Sequence, residues 1–598
     1  MDDMSIQWFD RESLDRAIID LIQDVDVVLD IGCGIRPQSF FHPKLHICCE
    51  PHLEYVQDLQ GRFKGIFNVV IVQEEAQNLV RMMPDQSVDS IFLLDVVEHL
   101  EKESGRSLIS ECERIARRQI IVFTPLGFVP QEYKAGEEDA WGFRGGQWQA
   151  HKSGWTPNDF DSKWEVLASK KYHTTDAKGE ALEPPFGAFW AIKERKIDAL
   201  PVKLGVLSHI LPPSPSGQAM VLYRLFRDFD PKGYCLISKT KYEFDPYDWR
   251  QKSESKLLSK YLHLPPENQM KGLRSFIFRN FLKPLSAFYQ VYQRAKNILR
   301  LIRQEKCDAL LACTGDQYDL PAGYLAARMA NIKFYVYIFD DFRGQWINPI
   351  SRRFARWVEP VVIRGASGVI VPNEYLFDQY RSRYKITPLV VHNPCEIPVK
   401  EEKKESIRYS LNQPVQMVYT GAVYQAHYDA FQRLIGALQL IERYKINLYV
   451  YTSQPFKKLE QEGICGPVIY KGHQLPSVIS KVQQKADILF LPLAFDSPFP
   501  DVIRTSAPGK LGEYLVSGRP ILVHAPENSF LAQYFKHHQC GWVVDQKDPV
   551  QLRDTIYSIL ENESVREKLI KNARNRAIED FGLEKVRLNF LKLFEERK

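Results

Sequence analysis

Glycines and carboxylates recur at the ends of short apolar runs in this chain. That pairing suits ligands with phosphate, ribose or other hydroxyl groups. Val27–Gly34 reads VVLDIGCG. An apolar strand ends at Asp30, then Gly32 and Gly34 make a tight turn where a missing side chain lets a ligand approach the backbone. The next apolar run, LHICCE, ends in Glu50, placed to accept the hydroxyl protons of a ribose. A third run, VDSIFLLDVVEHL, brings Asp95 to a strand end. Together the three features are more specific than any one. The third glycine of G-x-G-x-x-G is missing, replaced by IRPQ, which argues against a dinucleotide pyrophosphate site.

Further along, LGVLSHILPPSPSG ends at Gly217 and runs into an apolar helix. A glycine loop entering a helix can receive an anion or a sugar, or it can be a plain strand-to-helix turn. Asp316 follows LLACTG, with Asp319 three residues on, and Asp340 and Asp341 follow YVYIF. These acids would sit on the rim where open α/β sheets bind ligands. In RTSAPGKLGEYLVSGRPIL, a loop with Gly509 opens a helix, Lys510 lies in its first turn and Glu513 one turn on. That set suits a diphosphate at Lys510 and a ribose at Glu513, or it is an ordinary i, i+3 surface pair.

Positioning these residues requires strands alternating with helices, the signature of parallel α/β sheets. The pattern resets at KERKIDALPVK and again at NPCEIPVKEEKKE. The expected architecture is therefore α/β, with three Rossmann-like doubly wound units at residues 1–196, 200–392 and 393–575, and a helical tail at 576–598 packing back on the second. At 598 residues and 44% hydrophobic, the chain has apolar material for several cores. A net charge of +5 is too small over this length for a nucleic-acid coat, so no nucleic-acid partner is expected. Ten scattered cysteines without C-x-x-C fit a reducing compartment, not a disulfide framework or a structural zinc site. No metal is expected, and a cytoplasmic location is.

Residues 20–195 resemble the class I S-adenosylmethionine-dependent methyltransferases, through LDIGCG, CCE and DVVEHL. The resemblance implies S-adenosylmethionine as cofactor. Asp30, Gly32 and Gly34 would line its methionine end, Glu50 would hold the ribose, and Glu75 (or Glu74), with Asp95, would complete the site. A base is needed only if the acceptor is a hydroxyl. The candidates are His99 and His151, the latter in HKSGWTPNDF. Their structural alternatives are a helix residue packed under the sheet and a loop histidine bonded to backbone.

From residue 203 onward the chain resembles the GT-B glycosyltransferases, in particular the large retaining family four. The carrying residues are SHILPPSPSG, SGVIVPNE, VVHNP, VYTGA, YKGH, ADILFLPL and APGKLGEYLVSGRPIL. The resemblance implies a nucleotide-sugar donor in a cleft and a saccharide or lipid-linked acceptor. Glu513 would hold the donor ribose, Ser506, Gly509 and Lys510 would face the diphosphate, His473 the base, and Gly421 the phosphate. Gly217, Asp316, Asp340 and Asp341 would face the acceptor. One departure stands out. The family often has a glutamate eight residues before the ribose glutamate; here that position is Thr505. Arg504 or Asp501 would have to substitute.

Lys271–Lys306 holds nine lysines and arginines against one acid, with six aromatic residues interleaved. Such a segment can lie on an anionic membrane face, or it is a helix with aromatics inward and cations solvated. The resulting expectation is a bifunctional enzyme of surface-polysaccharide synthesis, transferring a sugar and methylating a glycan. Its alternatives are a glycosyltransferase with a non-catalytic N-terminal docking module, and a non-catalytic carbohydrate-binding assembly protein.

Overall fold

The computed structural model describes residues 6–133, 137–175, 181–194, 199–242, 255–266, 283–397, 409, 413–474 and 476–595. The chain divides into two compact units, Met1–Ile197 and Asp198–Lys598.

Unit one is built on eight strands: β1 (Ile6–Trp8), β2 (Val27–Ile31), β3 (Leu45–Cys49), β4 (Val69–Val72), β5 (Val88–Leu94), β6 (Ala116–Pro125), β7 (Glu165–Thr175) and β8 (Ala181–Glu194). Their order across the sheet is β1-β7-β8-β6-β5-β2-β3-β4. β8 runs antiparallel to β6 and β7, and the remaining pairs are parallel. β2 and β5 read as nearly unbroken apolar runs because the central strands of a covered parallel sheet are buried on both faces. From β2 the chain steps outward through β3 and β4, then returns to place β5 on the other side of β2. Such a reversal opens a crevice at the carboxyl ends of β2 and β5, where ligands bind in open α/β sheets.

Unit two contains two fully parallel sheets. The first comprises β9 (Leu204–Leu207), β10 (Tyr234–Ser238), β11 (Lys260–His263), β12 (Ala309–Cys313), β13 (Lys333–Tyr337), β14 (Gly368–Val371) and β15 (Leu389–Val390), in the order β11-β10-β9-β12-β13-β14-β15. The second comprises β16 (Val415–Thr420), β17 (Ile446–Tyr451), β18 (Val468–Lys471), β19 (Ile488–Pro492), β20 (Ile521–His524) and β21 (Trp542–Val544), in the order β18-β17-β16-β19-β20-β21. Each sheet has its own reversal, at β9/β12 and at β16/β19. The helix Leu583–Leu591 returns to the first sheet. Its Arg587 donates to the carbonyls of Arg224 and Leu225, and Phe590 packs on Phe226.

Lys271–Leu282, with Phe276, Phe278 and Phe281, lies outside the described residues. Lys283–Gln304 is a helix. Within the described part, buried and exposed groups are mixed. Arg294 is 1% exposed and ion-pairs with Asp316 and Asp319, whereas Phe288, Tyr289 and Tyr292 remain substantially exposed.

Candidate functional site

In unit one a cavity of about 110 Å³ opens at the β2/β5 reversal. Gly32, Glu50, Glu75, Asp95 and His99 all line it, together with Tyr55. Gly32 adopts φ 60°, and a Cβ there would come within 3.0 Å of Val96. Glu50 accepts backbone N–H bonds from Gly34 and His52, each at 2.9 Å. Burial nevertheless pushes its carboxyl up to about 7. Asp95 leaves the strand with φ 53°, a conformation rarely adopted by non-glycine residues. Desolvation of its carboxyl, opposed by a hydrogen bond with Glu98, pushes it up to about 6, although the residue as a whole is exposed.

Two residues assigned to the cofactor's methionine end sit differently. Asp30 is 1% exposed and does not line the cavity. It accepts the Gln38 N–H at 2.6 Å and lies 3.4 Å from His46 Nε2, so it braces the turn from beneath. Gly34, with φ 53°, lies under Trp141, whose ring a Cβ would meet at 2.7 Å. His99 lines the cavity and is not packed under the sheet, whereas His151 is a loop histidine bonded to backbone. His99 Nδ1 lies 3.2 Å from the Ala150 carbonyl, and His151 Nδ1 lies 2.6 Å from the Val129 carbonyl. Their rings are 4.9 Å apart. Burial lowers both imidazoles, His99 to about 4, which favours their neutral forms.

In unit two the residues that gather around the β16/β19 reversal are Gly421, Lys510 and Glu513. Gly421 takes φ 122°, and a Cβ there would lie 3.0 Å from Lys510 Nζ. The bare backbone thus leaves room for the ammonium, which rests 3.7 Å from the centre of the Tyr419 ring. Burial depresses Lys510 to about 7, with Glu513 opposing. Burial pushes Glu513 upward, but Arg224 and Gln483 outweigh it and hold the carboxylate below its usual range. Gln483 donates at 2.9 Å, and Arg224 of the helix Gly217–Phe226 pairs with Glu513 directly. Gly509 packs on the same helix, where a Cβ would lie 3.5 Å from Gly217 Cα.

Lys510 and Glu513 are therefore not an exposed surface pair. The helix that Lys510 caps, Leu511–Val516, is only six residues long, so its dipole adds little beside the lysine charge. Ser506 closes the preceding helix, Pro500–Thr505. Arg504 is bonded to Gln379. Thr505 is 1% exposed and bonds the Asp501 carbonyl, so Thr505 is not free to meet a sugar. His473 lies exposed on the loop after β18.

On the first sheet's rim, Asp340 and Asp341 separate in role. Asp341 is 1% exposed and pairs with Arg383 at 2.8 Å, next to the buried Glu359, so it is not an open catalytic carboxylate. Asp340 is pushed up to about 6 by burial and by Asp341, and it lies within electrostatic reach of Tyr424 on the loop after β16. Asp316 accepts the Tyr318 N–H at 2.7 Å and is held by Arg294. Sequence reasoning passed over Arg224, Tyr419, His427 and Gln483. His427 is buried with Nδ1 unpartnered among the described residues, and burial, then Lys510, depress it to about 3. An arginine inside the apolar helix QAMVLYRLF was the one signal available.

Residues 407–576 match the family described as Glycosyl transferases group 1. The C-terminal sheet of unit two lies within that domain. A search of curated proteins gives no match. Among solved structures, HepE of Anabaena in complex with UDP and glucose is 15% identical, covering 66% of this chain and 100% of its own, with a TM-score of 0.46. A glycosyltransferase from Rickettsia africae is 13% identical over 66% of this chain and 99% of its own, at 0.45. TarM is 10% identical over 66% and 99%, at 0.48.

Proposed function

We propose that unit two transfers a sugar from a nucleotide-sugar donor to a saccharide or lipid-linked acceptor, with retention, and that unit one methylates a glycan or related acceptor. The observation that carries the first part is the Lys510 cluster: a poorly solvated cation on Tyr419, beside the uncovered backbone of Gly421. An acceptor hydroxyl forms a new bond to the anomeric carbon as the sugar–diphosphate bond breaks, and its proton passes to the leaving diphosphate. The charge left on the diphosphate is what Lys510 is placed to neutralise, without a large solvent reorganisation. Glu513, kept ionised by Arg224, would accept from the donor's ribose hydroxyls, and Asp340 lies on the acceptor rim. A thermal-shift panel of uridine, guanosine and adenosine sugar nucleotides tests this reading, because ligands of the native state raise its apparent stability. Glu513→Ala should abolish donor hydrolysis and transfer. Unchanged turnover would refute the placement and favour a non-catalytic carbohydrate-binding protein.

For unit one, the support is the convergence of Gly32, Glu50, Glu75 and Asp95 on one cavity at the strand reversal. These residues fit S-adenosylmethionine: a glycine turn that a Cβ would fill, and a carboxylate at the tip of β3 for the ribose. The cofactor supplies an electrophilic methyl on sulfonium. The protein's part is to orient an acceptor beside it and, for a hydroxyl, to receive its proton. Calorimetry with S-adenosylmethionine decides. Silence removes the methyl-transfer reading, and binding without transfer points to a docking module.

A peripheral membrane contact is supported by the edge formed by the helices Lys283–Gln304 and Pro349–Gly365. Phe288 meets Trp357 there at 5.0 Å, and Trp357 stays 63% exposed. Arg353 and Arg356 on the second helix, and Lys296 and Arg300 on the first, supply basic charge.

A further inference from the structure

We infer that Glu98, His99 and His151 form a binding site for a divalent transition-metal ion at the edge of the unit-one cavity. One ligand atom from each lies within 4.8 Å of the others. Nothing in the spacing points to a metal, because the two histidines stand 52 positions apart and no ligand spacing motif links them.

The hydrogen bonds decide which atoms are free. A carbonyl only accepts, so the Ala150 and Val129 carbonyls fix the proton of each imidazole on Nδ1. Nε2 of each ring then carries the lone pair that a metal would take, although the Asp95 carbonyl also lies near the His99 ring. Glu98 is 2% exposed. Its Oε2 accepts from the Thr124 hydroxyl at 3.0 Å, while Oε1 is buried with no hydrogen-bond partner of good geometry among the described residues, and the Asp95 carboxyl lies close enough to interact with the Glu98 carboxyl. An unpartnered buried carboxylate oxygen is costly, and a cation would satisfy it.

The backbone holds this set in place. Lys152 and Ser153 N–H groups both donate to the Glu98 carbonyl, at 2.8 and 3.0 Å, and the His151 N–H donates to Gln131. The Trp155 indole closes on the Val97 carbonyl at 3.0 Å. The loop carrying His151 is thus stitched to the turn carrying Glu98 and His99.

Two imidazoles and one carboxylate, without thiolate, suit zinc, manganese, cobalt or iron(II), and three protein ligands leave positions open. His99 also lines the cavity, so an ion held by it would lie at the cavity's edge. An acceptor hydroxyl bound there would be acidified by the ion and would lose its proton more readily before methylation. That role rests on the methyl-transfer reading; the binding of the ion does not.

The test uses the full chain, stripped with chelator and titrated with Co²⁺ while visible absorption is followed. Zn²⁺ content is then measured after desalting. The expected result is one more ion per chain in the wild type than in a His99→Ala, His151→Ala double variant. Glu98→Gln and His151→Gln, single changes that leave the loop's backbone bonds available, should each weaken binding about 10- to 100-fold or more. Circular dichroism checks that each variant is folded. Equal stoichiometry and affinity in wild type and folded variants would overturn the site. Failure to bind S-adenosylmethionine would instead remove the methyl-transfer reading and leave a measured metal site standing.

Discussion

At pH 8 the Lys510 side chain is about nine-tenths uncharged, since burial holds it at about 7. A diphosphate arriving beside Nζ reverses that balance. One negative charge at about 4 Å, with an effective dielectric near 20, contributes roughly 4 kcal/mol, or about three pKa units. The bound-state value then lies near 10, and the ammonium is fully formed. Binding of the nucleoside diphosphate selected by the sugar-nucleotide panel should therefore take up about 0.9 proton per chain at pH 8 and about 0.1 at pH 6. Titration calorimetry in buffers of different ionisation enthalpy reads this number from the slope of heat against buffer enthalpy. Lys510→Met keeps the stem over Tyr419 and removes the titrating group, so its slope should fall to zero. A wild-type slope near zero at pH 8, with binding intact, would refute the placement of Lys510 against the diphosphate. An unchanged slope in Lys510→Met would assign the proton to another group.

Three further outcomes are expected. Gly34→Val adds a branched side chain at φ 53° against Trp141 and should lower S-adenosylmethionine affinity at least about tenfold, measured by calorimetry. Glu359→Ala removes the fully buried carboxylate that accepts the Tyr380 hydroxyl at 2.6 Å and pairs with Arg343. It should cost unit two about 3–5 kcal/mol, read from the shift of its denaturant midpoint. Trp357→Ser should reduce pelleting with anionic vesicles, and the remaining binding should vanish as salt rises; no wild-type binding at low salt would end the membrane reading.

Strand ends were the most legible feature of the sequence. Gly32, Glu50 and Asp95 follow apolar runs directly, so their place at the crevice depends on local pattern and on a sheet that reverses. Gly421 was legible for the same reason, and Lys510 from the proline–glycine loop that opens its helix. Asp30 and Asp341 show the limit of that logic. Each stands at a strand end like its neighbours, yet one turns under the loop to Gln38 and the other into Arg383. Spacing does not report whether a carboxylate at a strand end faces the crevice or the core.

What the sequence determined by itself was the alternation of strand and helix that builds three α/β sheets, and the glycine turns, all set by neighbours within about a turn or a strand. Tertiary structure alone decided which charges meet. Glu513 finds Arg224 across 289 positions, and Lys510 comes to rest on Tyr419. Glu98, His99 and His151 converge because the His151 loop is bonded to the Glu98 turn. Such pairings depend on how distant elements pack, and burial then shifts the ionisation of each group by amounts that composition and spacing do not encode.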